Sequence, residues 1–491
     1  HAEDHKITAM AVFIQHTNEN QLDLPRSFRG VSGRITYSYK DKYLAEGNAG
    51  YNGSDQFSKG KRYGFFPAGA LGWVVSKENF MKSVKVIDFL KIRGSYGEVG
   101  NDQIGGYSYL YRYEFTPPPA PGTSNTNPSY FSLGVSPVTQ IGLIEGPLGN
   151  DQVSWEVARK TDLGLDLRLF KGHLTFTGDV FRERRNNILA KRNDLPLYTG
   201  LSASKLPALN IGKVTNEGYE MEVSYNSKIG KVGFTIGGNY TFVRNTIDYI
   251  AEVPKKYPYQ VQAGHSIGTP YGYIWTGKFY DIPDLTDPNV PKPVSTIIAG
   301  DLMFKDLHGD GLIPPAAHPY FGFPELPEKM FGFNLDLDYR NFYISTFWQG
   351  ASNRNIRPSG PFANEFAPNI QPFQKEGRWV YDPAHGLDTR ATATYPALQI
   401  GGSPQTELAS SFNYLNAAYL RLRTVEIGYV FPQALIRKIR ISSLRVFLSG
   451  SNVLTFDHLG KYNLDPEYSG SANGAYSPQN KFYAAGLNIT F

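Results

Sequence analysis

The 491-residue chain contains no cysteine. Disulfide staples, thiol catalysis and Cys-ligated metals are therefore excluded. No run of about 18 apolar residues occurs, so no stretch is fit to cross a bilayer as a helix. Charge of one sign is also lacking. The 49 basic and 44 acidic residues leave a net charge of +5, with no basic run of five or more. That balance gives no reason to expect nucleic acid as a partner. Neither a G-x-S-x-G elbow nor a phosphate-binding loop is present. The nine His are scattered, and only the opening "HAEDH" spaces two of them by four. It lacks the glutamate of a zinc-binding H-E-x-x-H, and no nucleophile–base–orienter set can be named. An enzyme is not expected. The chain opens without a basic and apolar leader, so we expect it to begin in mid-protein.

Aromatics, glycine and strict alternation are abundant. There are 33 Tyr, 31 Phe and 50 Gly. In "TDLGLDLRLFKGHLTFTGDVF" (161–181), Leu163, Leu165, Leu167 and Leu169 alternate with Asp162, Gly164, Asp166 and Arg168. The alternation resumes after "KGH". A period of two broken by a short polar turn is a hairpin with one apolar and one charged face. The same pattern predicts fourteen strands, at 5–17, 29–40, 43–55, 63–77, 89–100, 158–170, 172–188, 213–227, 231–247, 330–340, 342–352, 416–431, 443–455 and 480–491.

Connections at 41–42, 171, 228–230 and 341 are very short, and those at 78–88 and 432–442 modest; 101–157, 189–212, 248–329, 353–415 and 456–479 are long. Short turns at one end and long loops at the other belong to an outer-membrane barrel. Tyr39, Tyr225, Tyr339 and Tyr429 lie on the apolar face beside short connections, where an interfacial girdle belongs. The Leu163 face is therefore assigned to lipid and the Asp166 face to the lumen. "PYGYIWTGKFY" (270–280) reads as a strand but has no place in the wall, and is assigned to the loop at 248–329. Basic residues beside the short turns (Lys40, Lys42, Lys171, Lys228, Lys231, Arg437, Lys438 and Arg440) are read as turn solvation rather than lipid-headgroup contacts.

"RITYSYKDKYLAEGNAGYNGSDQF", "FFPAGALGWVVSKENF", "LKIRGSYGEVGN" and "WEVARKTDLGLDLRLFKGHLTFTGDVFRERRNNIL" resemble the SusC/RagA family of TonB-dependent outer-membrane transporters. So do "DLHGDGLI", "YLRLRTVEIGYVFPQALIRKI", "SLRVFLSGSNVLTF" and the terminal "GLNITF", in the family's order along nearly the whole chain. The resemblance implies a barrel of roughly twenty-two strands with a plugged lumen. Residues 1–491 would be its C-terminal part, with the plug and the N-terminal strands outside this chain. It also implies TonB as energy source, a SusD-like lipoprotein on the extracellular face, a dimer of such pairs, and oligosaccharides or peptides as cargo. A glycan-binding adhesin or structural β-protein without transport is the rival, as is a siderophore or cobalamin receptor lacking the lipoprotein.

Sugars are held by aromatic faces together with amides. On that ground Trp275 and Trp379 are the first substrate-binding candidates, followed by Tyr271, Tyr273, Tyr320, Tyr381, Asn364 and Asn369 in the long loops. "DLHGDG" places Asp306, Asp310 and Gly311 at positions 1, 5 and 6 of a calcium-loop pattern. His308 at position 3 and Ala317 at position 12 break it, so a tight turn is expected, with Ca²⁺ or Mg²⁺ only a weak alternative and no other cofactor.

Overall fold

A computed structural model describes residues 4–19, 24–115, 130–133, 138–141, 143–192, 205–314, 318–366, 369–400, 403–437, 440–468 and 479–491. Its core element is one antiparallel sheet of fourteen strands, each paired with its sequence neighbours. In chain order these are β1 (His5–Asn18), β2 (Arg26–Tyr39), β3 (Tyr43–Ser54), β4 (Tyr63–Val74), β5 (Ile87–Asn101), β6 (Glu156–Leu169) and β7 (Leu174–Lys191). They continue with β8 (Ala208–Ile229), β9 (Val232–Tyr249), β10 (Lys329–Tyr339), β11 (Phe342–Ser352), β12 (Tyr419–Val430), β13 (Ser443–Asp457) and β14 (Phe482–Thr490). All fourteen expected wall strands are present, in an all-β, transmembrane barrel wall. No helix among the described residues is long and apolar enough to cross a membrane. The largest boundary difference is at β8, which begins at Ala208 and not at 213, because pairing continues past bulges around Ile188 and Lys213.

Register fixes the faces. Leu163, Val180, Tyr219 and Phe242 are paired in series from β6 to β9, so they share one face. Leu163 is 63% exposed and Leu448, on the same face of β13, is 64% exposed, with no second layer of protein over either among the described residues. One step toward the long loops, the same face becomes charged: Arg182, Glu217 and Arg244 stand in register. Arg244 pairs with Glu328 at 2.7 Å. Toward the short turns the apolar face ends on Ile229, Val232, Tyr339, Phe342 and Tyr429, again in series. Phe342 and Tyr429 rings touch at 4.6 Å, and Tyr39 and Tyr43 stack at 6.4 Å in the same zone. Tyr219 to Ile229 is ten residue steps along β8. At about 3.3 Å per residue and a tilt of about 40°, that is roughly 25 Å along the barrel axis, the height of a lipid-facing band.

The inward face is lined by ion pairs. Arg93 of β5 meets Asp162 and Asp166 of β6, each at 3.4 Å, and Asp179 of β7 at 2.6 Å. Gly164 makes this possible, since a Cβ there would lie 2.4 Å from the guanidinium carbon.

The long connections build a second region. The described residues of 250–328 and 353–418 interlock around Tyr273, Leu302, Phe304 and Ile313. The segment 270–280 does form a strand, Trp275–Phe279, but it pairs with Leu302–Phe304 inside this cap and not with the wall.

Candidate functional site

The cap and the wall meet over the lumen, and two cavities lie at that junction. One, of about 920 Å³, is lined by inward-facing Asn239 and Thr241 of β9, Met330 and Gly332 of β10, and Phe347 and Gln349 of β11. Arg354, Tyr419, Arg423 and Glu467 line it further. The second, of about 570 Å³, lies within the cap between Pro270, Asn355, Arg357, Asn364, Glu407 and Tyr414. Glu325 lines both, so the two meet there.

The rim is held by buried charge. Arg421 is 2% exposed; it pairs with Asp465 and Glu467, each at 2.7 Å, and donates to Thr455 at 3.0 Å. A bulge in β12 between Leu422 and Thr424 turns Arg423 toward the same carboxylate, at 3.3 Å from Glu467. Arg354 donates to the carbonyl oxygens of Glu325 and Tyr468, at 2.7 and 3.0 Å, and to that of Pro466. These arginines clamp 465–468 onto the wall and leave a carboxylate and a guanidinium facing the large cavity.

The loop aromatics proposed as sugar platforms are mostly committed to packing. Tyr273 is buried, stacked on Phe304 at 4.7 Å and against His318 at 4.0 Å. Burial pushes the Tyr273 phenol up and the His318 imidazole down. Trp275 packs on Phe279 and Phe412, at 5.7 and 5.1 Å, and its indole N–H donates to the Lys278 carbonyl. Trp379 is buried; its ring sits where a Cβ on Gly300 would fall, and its amide donates to Tyr395. Tyr271 and Tyr320 form a bridge with rings 4.8 Å apart, and His265 stacks on Tyr320 at 4.7 Å. Tyr381 is exposed, but the Arg390 guanidinium lies 3.8 Å over its ring. Asn364 donates to Glu407 at 3.0 Å inside the smaller cavity, and Asn369 is exposed outside both cavities. Of the eight, Asn364 alone lines either of these two cavities.

Asp306, His308 and Asp310 do come within 4.8 Å of one another. The Asp306 carboxylate, however, accepts from the amides of His308, Gly309 and Gly311 at 2.8–2.9 Å. Burial pushes this carboxyl up, but the three amides outweigh it and hold it below its ordinary value. His308 Nε2 is engaged by the Tyr259 hydroxyl at 2.5 Å. This geometry is a closed turn, and Ala317 lies outside the described residues.

Sequence reading missed Met330, Phe347, Arg357 and Arg423. Met330 and Phe347 could have been found by carrying the alternation of Asn334 and Asp336 outward, which puts Met330 on the lumen side and its neighbours with it. Arg423 could not, because the bulge breaks the count.

A long antiparallel wall, an outward apolar band and a charged interior under interlocked loops define the wall of a membrane β-barrel. Residues 13–301 match the family "TonB dependent receptor-like, beta-barrel", and the chain belongs to that family. Among curated proteins it is similar to TonB-dependent receptor P3 of Formosa agariphila, 28% identical over 94% of this chain and 45% of that protein. It is also similar to TonB-dependent receptor SusC of Bacteroides thetaiotaomicron, 26% identical over 94% of this chain and 43% of that protein. The chain thus spans about half the length of the curated relatives it matches. Among solved structures, the RagAB peptide transporter superposes with a TM-score of 0.69, at 17% identity, over 100% of this chain and 54% of that one.

Proposed function

We propose that the protein is the C-terminal part of an outer-membrane importer of oligosaccharides or peptides in a Gram-negative bacterium, a transporter and not an enzyme. The observation that carries this reading is the reversal of polarity across the wall. Leu163, Val180 and Leu448 stand outward and bare, while Arg93, Asp162 and Asp179 crowd inward. That arrangement fits a sheet with hydrocarbon outside and water inside. β1 and β14 each have one paired edge in the described sheet. Such long open edges are a liability in isolation. We infer that further strands of the same receptor, to a total of roughly twenty-two, close the ring, and that a plug fills it. Energy would come from TonB through that remaining part. A SusD-like lipoprotein would seat on the cap, within a dimer of such pairs; the relative named SusC supports this partnership.

The test is deletion of the gene in its own host, followed by uptake of defined glycans and peptides. Loss of uptake for one class is expected. Unchanged uptake of every one would overturn import, and a chain that folds in water without detergent would favour the adhesin.

A further inference from the structure

The outward face of the wall changes character at the loop end of β6 and β7. Leu163 and Val180, paired across these strands, are bare and apolar. Four residues nearer the long loops on the same face, Arg159 of β6 stands directly opposite Arg184 of β7. Opposed residues on one face lie about 5 Å apart at Cβ, and like charges so placed are destabilising. Arg182, two residues back along β7, adds a third guanidinium to this face within about 7 Å of Arg184.

Carboxylates answer only part of this charge. Arg159 pairs with Glu98 at 2.9 Å, Arg182 with Glu217 at 3.4 Å, and Arg244 of β9 with Glu328 at 2.7 Å. Asp248 is engaged by the Thr215 hydroxyl at 2.7 Å. Arg184 is exposed and makes no ion pair among the described residues. Arg182 and Glu217 are each more than half exposed, so their pair is weak and free to reopen. The cluster is also local. Val31, Tyr51 and Phe65, in register across β2 to β4, are exposed and apolar toward the same loop end, and Leu454 and Phe456 of β13 are exposed too. A zone that met only the average headgroup layer would give the whole rim one character. Here the arginines are gathered on neighbouring strands.

On the reading of this wall as lipid-facing with its long loops outside, on which this step rests, we propose that Arg159, Arg182 and Arg184 bind the phosphorylated headgroup of an outer-leaflet glycolipid. Guanidinium forks match phosphate oxygens in pairs, and a phosphate between Arg159 and Arg184 turns their repulsion into shared attraction. The acyl chains of the same lipid would lie along Leu163 and Val180, directly below. Long loops mark the extracellular side of such a barrel. In an outer membrane the phosphate-bearing lipid of that leaflet is lipopolysaccharide. The short-turn border, facing the other leaflet, ends on Ile229, Val232, Tyr339 and Phe342 instead.

The experiment uses the receptor extracted from its own outer membrane and freed of lipid by detergent exchange. It is offered lipopolysaccharide of the same host, the same material dephosphorylated, or phosphatidylglycerol. Retained lipid is read by native mass spectrometry, and the melting temperature is taken with and without each. Wild-type protein is expected to retain intact lipopolysaccharide and to melt higher with it. Arg184→Ser should lower that retention about tenfold, the scale of one lost charge-assisted contact. In detergent alone the same variant should melt no lower than wild type, because it relieves the opposed pair; a lower melting point there would assign Arg184 to the fold and overturn the site. Heat-modifiable migration reports that the barrel is intact. Should Arg184→Ser fail to insert, Arg182→Ser decides, since its exposed pair contributes little to folding. Equal retention by wild type and variant, or of intact and dephosphorylated material, would overturn the site. Phosphatidylglycerol held in preference would overturn the choice of lipid. A chain that folds without detergent would remove the lipid-facing wall itself, and is told apart from these outcomes before any lipid is added.

Discussion

Wall and cap place apolar residues by opposite rules. In the wall, leucine and valine point away from the protein, and arginine and aspartate point in. In the cap, Phe304 is 1% exposed and Leu302 fully buried. One chain is thus folded against two solvents, and the boundary between them is narrow. It runs through the Arg182–Glu217–Arg244 row and the clamp around Arg421. Cap residues are stabilised by leaving water for protein. Wall residues leave water for lipid, and their strands are held by the hydrogen-bond ladder and the inward ion pairs.

The sharpest break in this comparison should come where the regions are joined. Arg421→Ala leaves the half-buried Asp465 without its cation and Glu467 with only Arg423, at 3.3 Å. A cost of about 3–5 kcal/mol is expected. Protease should then cut within 458–468 while the wall still migrates as a heat-modifiable barrel. Next comes the outward face. Val223→Arg lies near the middle of the apolar band and should cost about 2–4 kcal/mol, whereas Leu163→Arg, beside the charged row, should cost about 0–1 kcal/mol. Unfolding from lipid vesicles measures both. Equal costs at the two depths would mean that no bilayer separates the two positions.

A smaller effect distinguishes the cap by its response to pH. Asp301 is buried and accepts from the Ile298 amide, Ser403 and Gln399. Burial pushes its carboxyl above the ordinary 3.8, against the pull of those three donors. The folded cap therefore binds the proton more tightly than the unfolded chain does. Its contribution to stability is full below pH 3.8 and is lost as pH rises through the elevated value. Hydrogen exchange at 298–304 should quicken over that window, and Asp301→Asn should flatten the profile without altering exchange in the wall.

The wall was legible because alternation is a local signal, and a barrel repeats it with one polarity throughout. Leu163 against Asp162 and Leu448 against Arg445 carry the same message, and fourteen repetitions leave little choice of fold. The cap was not legible because its pairings are distant. Tyr273 finds Ala409 and Ser411, and Asp301 finds Ser403, across a hundred residues and an intervening hairpin of the wall. Trp379 and Tyr273 read as binding platforms for the same reason: sequence shows an aromatic in a loop and cannot show the partner that covers it. The strand at Trp275–Phe279 is legible in the alternation of 270–280, and its pairing with Leu302–Phe304 keeps it in the cap and out of the wall.

Calcium should have the smallest effect, and the cap explains why. The Asp306–Gly311 loop presents two carboxylates and an imidazole within one small space, which from composition alone would suit a cation. A hard cation needs about six to eight oxygen ligands with lone pairs to spare. Here both Asp306 oxygens already accept backbone amides, Asp310 Oδ1 accepts from the Leu312 amide at 3.0 Å, and His308 is held by Tyr259. The amides supply the positive charge a cation would bring, so the loop closes without one. Millimolar calcium is therefore expected to leave the melting temperature unchanged, and Asp310→Asn to leave that insensitivity intact. A clear calcium-dependent rise lost in Asp306→Asn would show that the turn opens to take the ion, and that the cap has a second means of holding its shape.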